Sequence, residues 1–588
     1  MHIVVAPAKT GAGGWTLQVV TANGQRAGQP LTVTDQEFPG VVATRESAAL
    51  DAGVHPPVWT WMDTSVPAAL LCEADVWATK CRDLGLCATI LATASDAPGS
   101  GAPDPDSGES RPMQYTPVIE PADPRHVPGP CPRPVEDSQT SLFAMASDRG
   151  PGLDELVAEL AEQIRAVSTA RNPKRLEMLL GLESQGALVA ATMRHQGIPW
   201  NPDVHEQILV DAMGPRPKEG VRPVRMQELA EEIRRVLAAP TLNPDSPPEL
   251  LKALRTAGVD VDSTRAWVLK EWTMVAGKPD PHRQQILAPV LEYKKLSRIF
   301  SATGWHWLDT WVTNGRFHPE YVVGGVVTGR WAARGGGALQ IPKFIRDAVR
   351  ADPGRTLVVA DAAQLEPRVL AILARDDALA QASRDRDLYE SIAQQGQERG
   401  SELKERPHAK IALLGAMYGA TQGVAGRFMP HLTRMFPRAV GYVEHAARVG
   451  ERGEQVCTYL GRWSPLPEPE WFEIQRATDT AAGERRAAQA ARTHGRFSRN
   501  FVVQGSAAEW ALAWLGHIRQ GLHRQGLDAH LVFFLHDEVM VHCAQGEAEQ
   551  VKQVVLDAAN QAVRTVFGRV PVEVPVTTSV VTSYADAK

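Results

Sequence analysis

Two acidic sites in the sequence each follow a short apolar segment that is typical of a buried β-strand. Asp361 follows Thr356–Ala360, and the run His536-Asp537-Glu538 follows Leu531–Leu535. Carboxylates on two separate strands can hold a pair of Mg²⁺ ions, which together stabilise the attacking and leaving oxygens of a phosphoryl transfer. The acidic sites therefore predict metal-assisted chemistry on phosphate groups.

A basic segment with helical spacing lies between the two acidic sites. Arg406, Lys410, Leu414 and Tyr418 are four residues apart, so they lie along one helix face. Two cations one turn apart near a helix start can bind adjacent phosphates, and an aromatic ring further along can pack against a base. On its own, the segment fits equally well an amphipathic helix with two surface cations.

The composition of the whole chain limits its class. A chain of 588 residues is too long for one core and should divide into several domains. The sequence has no apolar run of the roughly 18 residues that can span a bilayer, and its start lacks a basic signal region, so we expect a cytoplasmic, nucleoid-associated protein. The six cysteines include no CxxC pair, which argues against a zinc site or a disulfide framework.

The charge of the chain is informative only locally. The net charge of −6 is no general sign of nucleic-acid binding, but phosphates respond to local clusters of arginine and lysine. Such clusters occur at residues 330–350 and 485–499, which flank the two acidic strands. The position of the clusters favours a protein that binds nucleic acid.

Taken together, these segments resemble family A DNA polymerases, the bacterial DNA polymerase I type, over residues 172–588. Asp361–Arg368 is similar to the first palm motif of that family, residues 406–419 to its fingers helix, and His536-Asp537-Glu538 to its third motif. Further stretches occur in the same order as in the family: Leu291–Leu296 in the thumb, Thr328–Arg330 with Leu339–Pro342 at the entry to the palm, and Arg496, Asn500 and Gln504–Ala508 in a minor-groove helix.

The resemblance implies an α+β multidomain fold, a right hand of palm, fingers and thumb preceded by an α/β exonuclease-like domain. Residues 97–137, rich in Pro, Gly and Ser, are predicted to be a flexible linker or insertion. The expected boundaries are 1–96 and 138–171 for the exonuclease-like domain, 172–326 for the thumb and helical connection, 327–370 for the first palm part, 371–450 for the fingers and 451–588 for the second palm part.

The resemblance also implies a role for each site residue. Asp361 and Asp537 would bind two Mg²⁺ ions, Glu538 would support that site, and Lys410 would protonate the leaving pyrophosphate. The expected nucleotide-binding residues are Arg406, Lys410, Leu414, Tyr418, Glu366, Gln364 and Tyr389. The expected DNA-binding residues are Arg330, Arg496, Asn500, Gln504, His536 and Arg368.

These roles imply a template-directed DNA polymerase that acts as a monomer on primer–template DNA and dNTPs, in replication or repair. By the resemblance, Glu366 closes the space beside the ribose 2′ position, which argues against the related single-subunit RNA polymerases. A second alternative is a catalytically idle DNA-binding accessory protein. The intact set of carboxylates and cations argues against it, because a binding module has no use for carboxylates that repel phosphate.

Four positions depart from the family pattern. Leu414 stands where the family has Phe or Tyr, which predicts weaker nucleotide binding, since stacking of an aromatic ring on a base contributes about 1–3 kcal/mol. Ala362 replaces a Tyr, and Tyr389 replaces a phosphate-contacting His. In the family an Asn follows the Gln that corresponds to Gln340, and this sequence lacks that Asn.

The N-terminal region departs further. The first strand-like segments, Ile3–Val5 and Trp15–Val20, carry no carboxylate pair, and Asp83 is a single candidate for a later acidic position. A two-metal exonuclease cannot be built from one carboxylate. We therefore expect an exonuclease-like domain without proofreading activity, and no room before it for a 5′-nuclease domain.

Overall fold

The structure is a computed structural model that describes residues 1–8, 13–95, 150–275, 277–334, 341–384, 387–419 and 423–587. The predicted linker at 97–137 lies outside the described residues, as do Leu339 and Gln340 of the predicted palm-entry segment. Within the described ranges, no helix is both long enough and apolar enough to cross a bilayer.

The N-terminal part is a five-stranded mixed sheet with the strand order β3-β2-β1-β4-β5. Its central strand β1 pairs antiparallel with β2 and parallel with β4, so apolar side chains on both faces are buried. The strands are β1 (His2–Pro7), β2 (Trp15–Val20), β3 (Arg26–Val33), β4 (Val58–Trp61) and β5 (Lys80–Asp83). The helices are α1 (Phe38–Asp51), α2 (Ser65–Glu73), α3 (Leu84–Ser95) and α4 (Leu153–Thr169).

A long helix, α5 (Pro173–Gln196), joins this sheet to the rest of the chain. Its Leu188 packs in the core of the N-terminal sheet, whereas Leu180 and Met193 belong to the largest core of the protein. Because one helix contributes to both cores, the N-terminal sheet is fixed against the C-terminal part of the chain.

A mainly helical region follows, with its own core around Leu229, Leu254 and Tyr293. Its helices are α6 (Pro202–Met213), α7 (Val224–Val236), α8 (Pro247–Thr256), α9 (Ala266–Trp272), α10 (Pro281–Thr303) and α11 (Trp305–Trp311). Short strands accompany them: β6 (Ile198–Pro199), β7 (Met274–Val275), β8 (Lys278–Pro279), β9 (Val312–Thr313), β10 (Arg316–Phe317), β11 (Glu320–Val322) and β12 (Ala332–Arg334). The predicted thumb segment Leu291–Leu296 lies within α10.

A four-stranded antiparallel sheet carries both acidic sites, in the order β14-β15-β13-β16. Its strands are β13 (Arg355–Ala362), β14 (Ala529–Leu535), β15 (Glu538–Ala544) and β16 (Val576–Val581). Successive residues of β13 alternate between two cores: Leu357 and Val359 face one, and Val358 and Ala360 face the other. Burial on both faces explains why the strand reads as a continuous apolar run.

The remaining helices follow in the C-terminal part of the chain, and α19 and α20 among them contact this sheet. They are α12 (Leu365–Ala374), α13 (Asp377–Ala382), α14 (Leu388–Glu398), α15 (Arg406–Tyr418), α16 (Gly423–Met435), α17 (Pro437–Glu451), α18 (Pro469–Arg476), α19 (Ala481–Arg524) and α20 (Ala548–Phe567). Three 3₁₀ helices span Lys343–Ala348, Gln545–Glu547 and Tyr584–Ala587. Helix α19 is 44 residues long, which corresponds to about 66 Å at 1.5 Å per residue.

Candidate active site

The strand register brings the two acidic sites together. Asp361, near the end of β13, lies directly opposite Glu538, the first residue of β15. Asp537 lies in the β14–β15 turn, and its carbonyl accepts a 2.8 Å hydrogen bond from the Ala362 N–H. The turn needs His536 in the left-handed region, at φ 55°, and this exposed residue therefore projects from the tip of the hairpin.

The electrostatics of Asp537 depend on its burial and on its neighbour Asp361. Burial, followed by the charge of Asp361, raises the pKa of Asp537 to about 7, against the opposing effect of Arg330. Such a pair fits Mg²⁺, which is commonly held by one or two carboxylates together with substrate phosphates. Within the described ranges, no group of three or more His, Cys, Asp or Glu residues that could hold a metal ion is found.

Glu538 is held beneath this pair. Its side chain is buried and accepts a 2.8 Å hydrogen bond from the hydroxyl of Tyr584. The guanidinium of Arg346 lies 4.3 Å from the centre of the Tyr584 ring. The sequence prediction missed Tyr584, because 46 residues separate it from Glu538 and no local pattern connects them.

Helix α15 has the bounds that its spacing predicted. Pro407 lies in its first turn, where its missing N–H costs nothing, and Gly419 caps its end at φ 72°. A Cβ atom on Gly419 would lie only 2.5 Å from Cγ of Arg496 on α19. Glycine is therefore required both to end α15 and to let α19 approach it.

The cationic start of α15 is braced from α14. Arg406 is exposed, and its Nε donates a 2.8 Å hydrogen bond to Asp387, whose other oxygen caps α14. Lys410 is exposed one turn further along, and Leu414 is half-buried against the main core. The cations thus remain accessible to an anion.

Tyr389, a predicted nucleotide-binding residue, packs beside the cationic start of α15. It is 5% exposed, and the Arg406 guanidinium lies 5.7 Å from the centre of its ring. Burial, followed by the charge of Glu366, raises the pKa of Tyr389 to about 12. The ring therefore supports Arg406, and its contact with a nucleotide stays a prediction.

Glu366 connects α15 to the acidic sheet. It lies in the first turn of α12, where it pairs with Arg330 and accepts a hydrogen bond from the Tyr418 hydroxyl. Burial, followed by the charge of Glu366, raises the pKa of Tyr418. Tyr418 is therefore a neutral hydrogen-bond donor at any physiological pH.

Two residues of the first motif have structural partners. Gln364 adopts the left-handed conformation at φ 48°, and its side-chain amide oxygen Oε1 accepts a 3.2 Å hydrogen bond from the backbone N–H of Leu388. Arg368 is fully buried and donates to the backbone carbonyls of Ala363, Ser383 and Glu573. The prediction that Arg368 contacts DNA is wrong, because its guanidinium is used to join three chain segments.

The predicted minor-groove residues follow one another along α19. Arg496 is exposed, and Asn500 and Gln504 are half-buried. The Thr328 hydroxyl donates a 2.9 Å hydrogen bond to Gln504, which links α19 to the loop that carries Arg330. Gly505 makes this approach possible, because a Cβ atom there would lie 2.4 Å from the Thr458 methyl group and 3.1 Å from the Thr328 carbonyl.

A buried charged network that no local sequence pattern indicates lies behind this loop. Arg462 forms a 2.8 Å ion pair with Glu183 of α5, and both side chains are at least nine-tenths buried. Glu509 of α19 is also buried and accepts hydrogen bonds from the Thr458 hydroxyl and from the Leu460 N–H. The network connects α5, α19 and the loop between α17 and α18.

Asp83, the single acidic candidate of the N-terminal domain, is used structurally. It is buried and accepts hydrogen bonds from Thr64, through both backbone and hydroxyl, and from the Leu86 N–H. Burial, followed by the charge of Asp63, raises its pKa to about 7. Strands β1 and β2 carry no carboxylate side chain to join it.

Comparison of the sequence with known proteins identifies related chains. The model of DNA polymerase family A matches residues 222–585. DNA polymerase I of Aquifex aeolicus (strain VF5) is 27% identical over 290 residues, which cover 48% of this chain and 49% of that protein. DNA polymerase I of Streptococcus pneumoniae serotype 4 is 23% identical over 423 residues, covering 66% of this chain and 44% of that protein.

The fold likewise matches a solved structure. The POL domain of Pol1 from M. smegmatis, in complex with DNA primer-template and dNTP, aligns with a TM-score of 0.63 at 18% identity. The alignment covers 100% of this chain and 96% of that one. The chain spans less than half of the length of the two curated relatives described above.

Proposed function

Because this chain belongs to DNA polymerase family A, we propose that it is a template-directed DNA polymerase, which adds dNTPs to the 3′-hydroxyl of a primer. One observation carries the proposal. Tyr418 and Glu366 join the end of the cationic helix α15 to α12, the helix that directly follows the strand carrying Asp361. Phosphate-binding cations and metal-binding carboxylates therefore belong to one site.

Asp361 and Asp537 are the residues that would hold two Mg²⁺ ions. Ions bound there would lower the pKa of the primer hydroxyl and would stabilise the leaving pyrophosphate. Arg406, fixed by Asp387, neutralises the triphosphate at one end of α15. Lys410, one turn further along, donates a proton to the leaving group. Glu538 supports the pair from below through its bond to Tyr584.

The sugar and the DNA are recognised by other residues. Glu366 closes the space beside the ribose 2′ position, so the site favours deoxyribonucleotides. Arg330 and Gln504 reach minor-groove acceptors, whose pattern hardly changes with sequence, so they check pair geometry. The other DNA contacts in this proposal are Arg496, Asn500 and His536.

These roles assign a part of the right-hand fold to each region of the chain. Residues 172–326 form the thumb and helical connection, 327–370 and 451–588 the palm, and 371–450 the fingers. The N-terminal sheet is an exonuclease-like domain without proofreading activity, since Asp83 is engaged with Thr64 and Leu86. Such an enzyme acts in DNA repair or replication without 3′–5′ proofreading of the primer end.

Primer extension with Mg²⁺ tests the proposal. The wild type should add dNTPs in template order, and Asp537→Ala should lower the rate by about a thousandfold, or roughly 4 kcal/mol of transition-state stabilisation. Glu549→Ala, which removes an exposed carboxylate of α20, is the control and should leave the rate unchanged.

Two other outcomes would contradict the proposal. Addition of rNTPs as efficiently as dNTPs would favour an RNA polymerase-like enzyme and remove Glu366 as a sugar gate. Tight DNA binding that is insensitive to a Mg²⁺ chelator, with no synthesis by the wild type, would favour the idle accessory protein.

A further inference from the structure

An open groove lies between α18 and the first turns of α19, beyond the proposed active site. Its volume is about 760 Å³, within the usual range of about 300–1,000 Å³ for ligand-binding clefts. Its lining includes apolar side chains, Trp471 and Ile474 of α18 and Phe497 of α19, and two cations of α19, Arg485 and Arg486. The proposed polymerase chemistry uses none of these five residues.

The groove is continuous with the proposed DNA-binding face of α19. Arg486, Thr493 and Asn500 are spaced by seven residues, or two turns, and Gln504 follows one turn later. They therefore lie along one side of a single helix. The stripe from Arg486 to Asn500 is about 21 Å long at 1.5 Å per residue.

A hydrogen bond within α19 connects the groove to a proposed DNA-binding residue. Arg496, which packs against Gly419 at the end of α15, donates a 3.1 Å hydrogen bond to the hydroxyl of Thr493, a lining residue of the groove. The groove therefore lies next to the proposed primer–template site.

We infer that this groove binds the single-stranded 5′ part of the template just before it enters the active site. This inference rests on the proposed polymerase function, because beyond the primer terminus only the template strand continues. Unpaired bases stack on aromatic rings, whereas arginines bind the backbone phosphates. Trp471 and Phe497 supply the rings, and Arg485 and Arg486 supply the positive charge.

The chemistry of the groove favours a single strand over a duplex. A duplex presents phosphates outward and keeps its bases stacked inside, so it has no apolar surface to place on Trp471 or Ile474. A single strand offers both bases and phosphates. Recognition of this kind depends little on sequence, which suits a template that changes at every step.

Equilibrium binding of labelled primer–templates by the full chain tests the inference, without dNTP and without catalysis. The substrates carry template overhangs of one or of ten nucleotides. The wild type should bind the long overhang at least about fivefold more tightly, which is the lower limit for one stacked base. Arg485→Glu/Arg486→Glu and, separately, Trp471→Ala should abolish this difference while binding the short overhang like the wild type.

Two further readouts make the test specific. The salt dependence of long-overhang binding should weaken by about 1.4 in log–log slope in Arg485→Ala/Arg486→Ala, as expected for two lost phosphate contacts on a single strand. The control Arg45→Glu/Arg524→Glu reverses two exposed charges elsewhere and should keep the full overhang effect. Circular dichroism of each variant should match the wild type.

The outcomes separate the inference from the proposed function. If the overhang has no effect in the wild type, or if its effect survives both groove variants, the groove is not a template site, and an acidic protein segment becomes the better occupant. Incorporation of one dNTP on the short overhang is measured in parallel. Its absence would overturn the polymerase proposal, whereas overhang-dependent binding could still be observed.

Discussion

Tyr418 donates its hydroxyl hydrogen to Glu366 across the interface between α15 and α12, although 52 residues separate them in sequence. The second oxygen of Glu366 pairs with Arg330. The carboxylate that is expected to exclude the ribose 2′-hydroxyl is therefore fixed from two sides. A side chain can exclude the 2′-hydroxyl only if it stays in place, and these two partners hold the Glu366 carboxylate in position.

Glu366→Ala should admit ribonucleotides. Removing the carboxylate opens the space beside the 2′ position, so incorporation of rNTPs relative to dNTPs should rise by at least about tenfold, or 1.4 kcal/mol. The ratio of kcat/KM values for the two sugars measures this effect. Tyr418→Phe is the matched control: it removes one bond to Glu366 but leaves Arg330, and its effect should be smaller. An unchanged ratio in Glu366→Ala would show that the carboxylate is not the gate.

Leu414→Phe should strengthen dNTP binding. Leu414 is half-buried between the exposed Lys410 and Tyr418 on α15, where an aromatic ring could lie against the incoming base. One stacked base contributes about 1–3 kcal/mol, so the apparent KM for dNTP should fall by about fivefold or more in single-nucleotide kinetics. Leu414→Met keeps the volume without a ring and should leave KM near the wild-type value. Equal KM values for all three proteins would rule out the missing ring as a cause of weak binding.

Breaking the buried ion pair of Arg462 and Glu183 should destabilise the protein strongly. Arg462→Met leaves a buried carboxylate without its cation, which costs about 3–5 kcal/mol in comparable pairs. Urea denaturation should therefore show an earlier transition. The double variant Arg462→Met/Glu183→Leu removes both charges and should recover much of the loss. A double variant less stable than the single one would contradict this account.

Glu509 should make stability depend on pH. Burial raises its pKa to about 7 in the folded chain, from an ordinary value of 4.5. The folded state then holds more protons between these values, so this contribution to stability is complete below pH 4.5 and is lost as pH rises through 7. The loss corresponds to roughly 3 kcal/mol at 1.36 kcal/mol per pKa unit.

Comparison with Glu509→Gln isolates that contribution. Gln cannot ionise, so the unfolding free energy of the variant should improve relative to the wild type as pH rises from 4.5 to 8. A difference between the two proteins that stays constant over this range would disprove the buried-charge explanation. The pH trend is the relevant readout, because the amide also changes the bonds to Thr458 and Leu460 at every pH.

Asp83→Ala should reduce stability without affecting primer degradation. The substitution removes the carboxylate that accepts three hydrogen bonds, two from Thr64 and one from Leu86. The free energy of unfolding should therefore fall by about 2–4 kcal/mol. Wild type and variant should both leave a mispaired primer intact in the presence of Mg²⁺ and absence of dNTP. Digestion that survives Asp537→Ala but not Asp83→Ala would establish a working exonuclease and overturn the proposed loss of proofreading.

Local patterns in the sequence were enough to predict several elements. Helix α15 spans Arg406–Tyr418 as its spacing indicated, and Asp361 ends an apolar strand. The tail at residues 570–581, which is dense in Val and Thr, predicts one final strand over its whole length, but β16 covers only Val576–Val581. Pro571 and Pro575 explain the difference, because proline lacks the N–H that a strand needs for pairing.

The sequence by itself determined the chemistry available to this protein: two carboxylates at strand ends, two cations one turn apart and the glycine that ends their helix. These features depend on neighbours within a few residues, so periodicity and turn chemistry reveal them. Only the tertiary structure decided which of the polar residues face a ligand. Arg368 and Tyr389 are buried, and Glu538 is held by Tyr584. Burial and hydrogen bonding between distant segments depend on how the whole chain packs, and no local pattern records that packing.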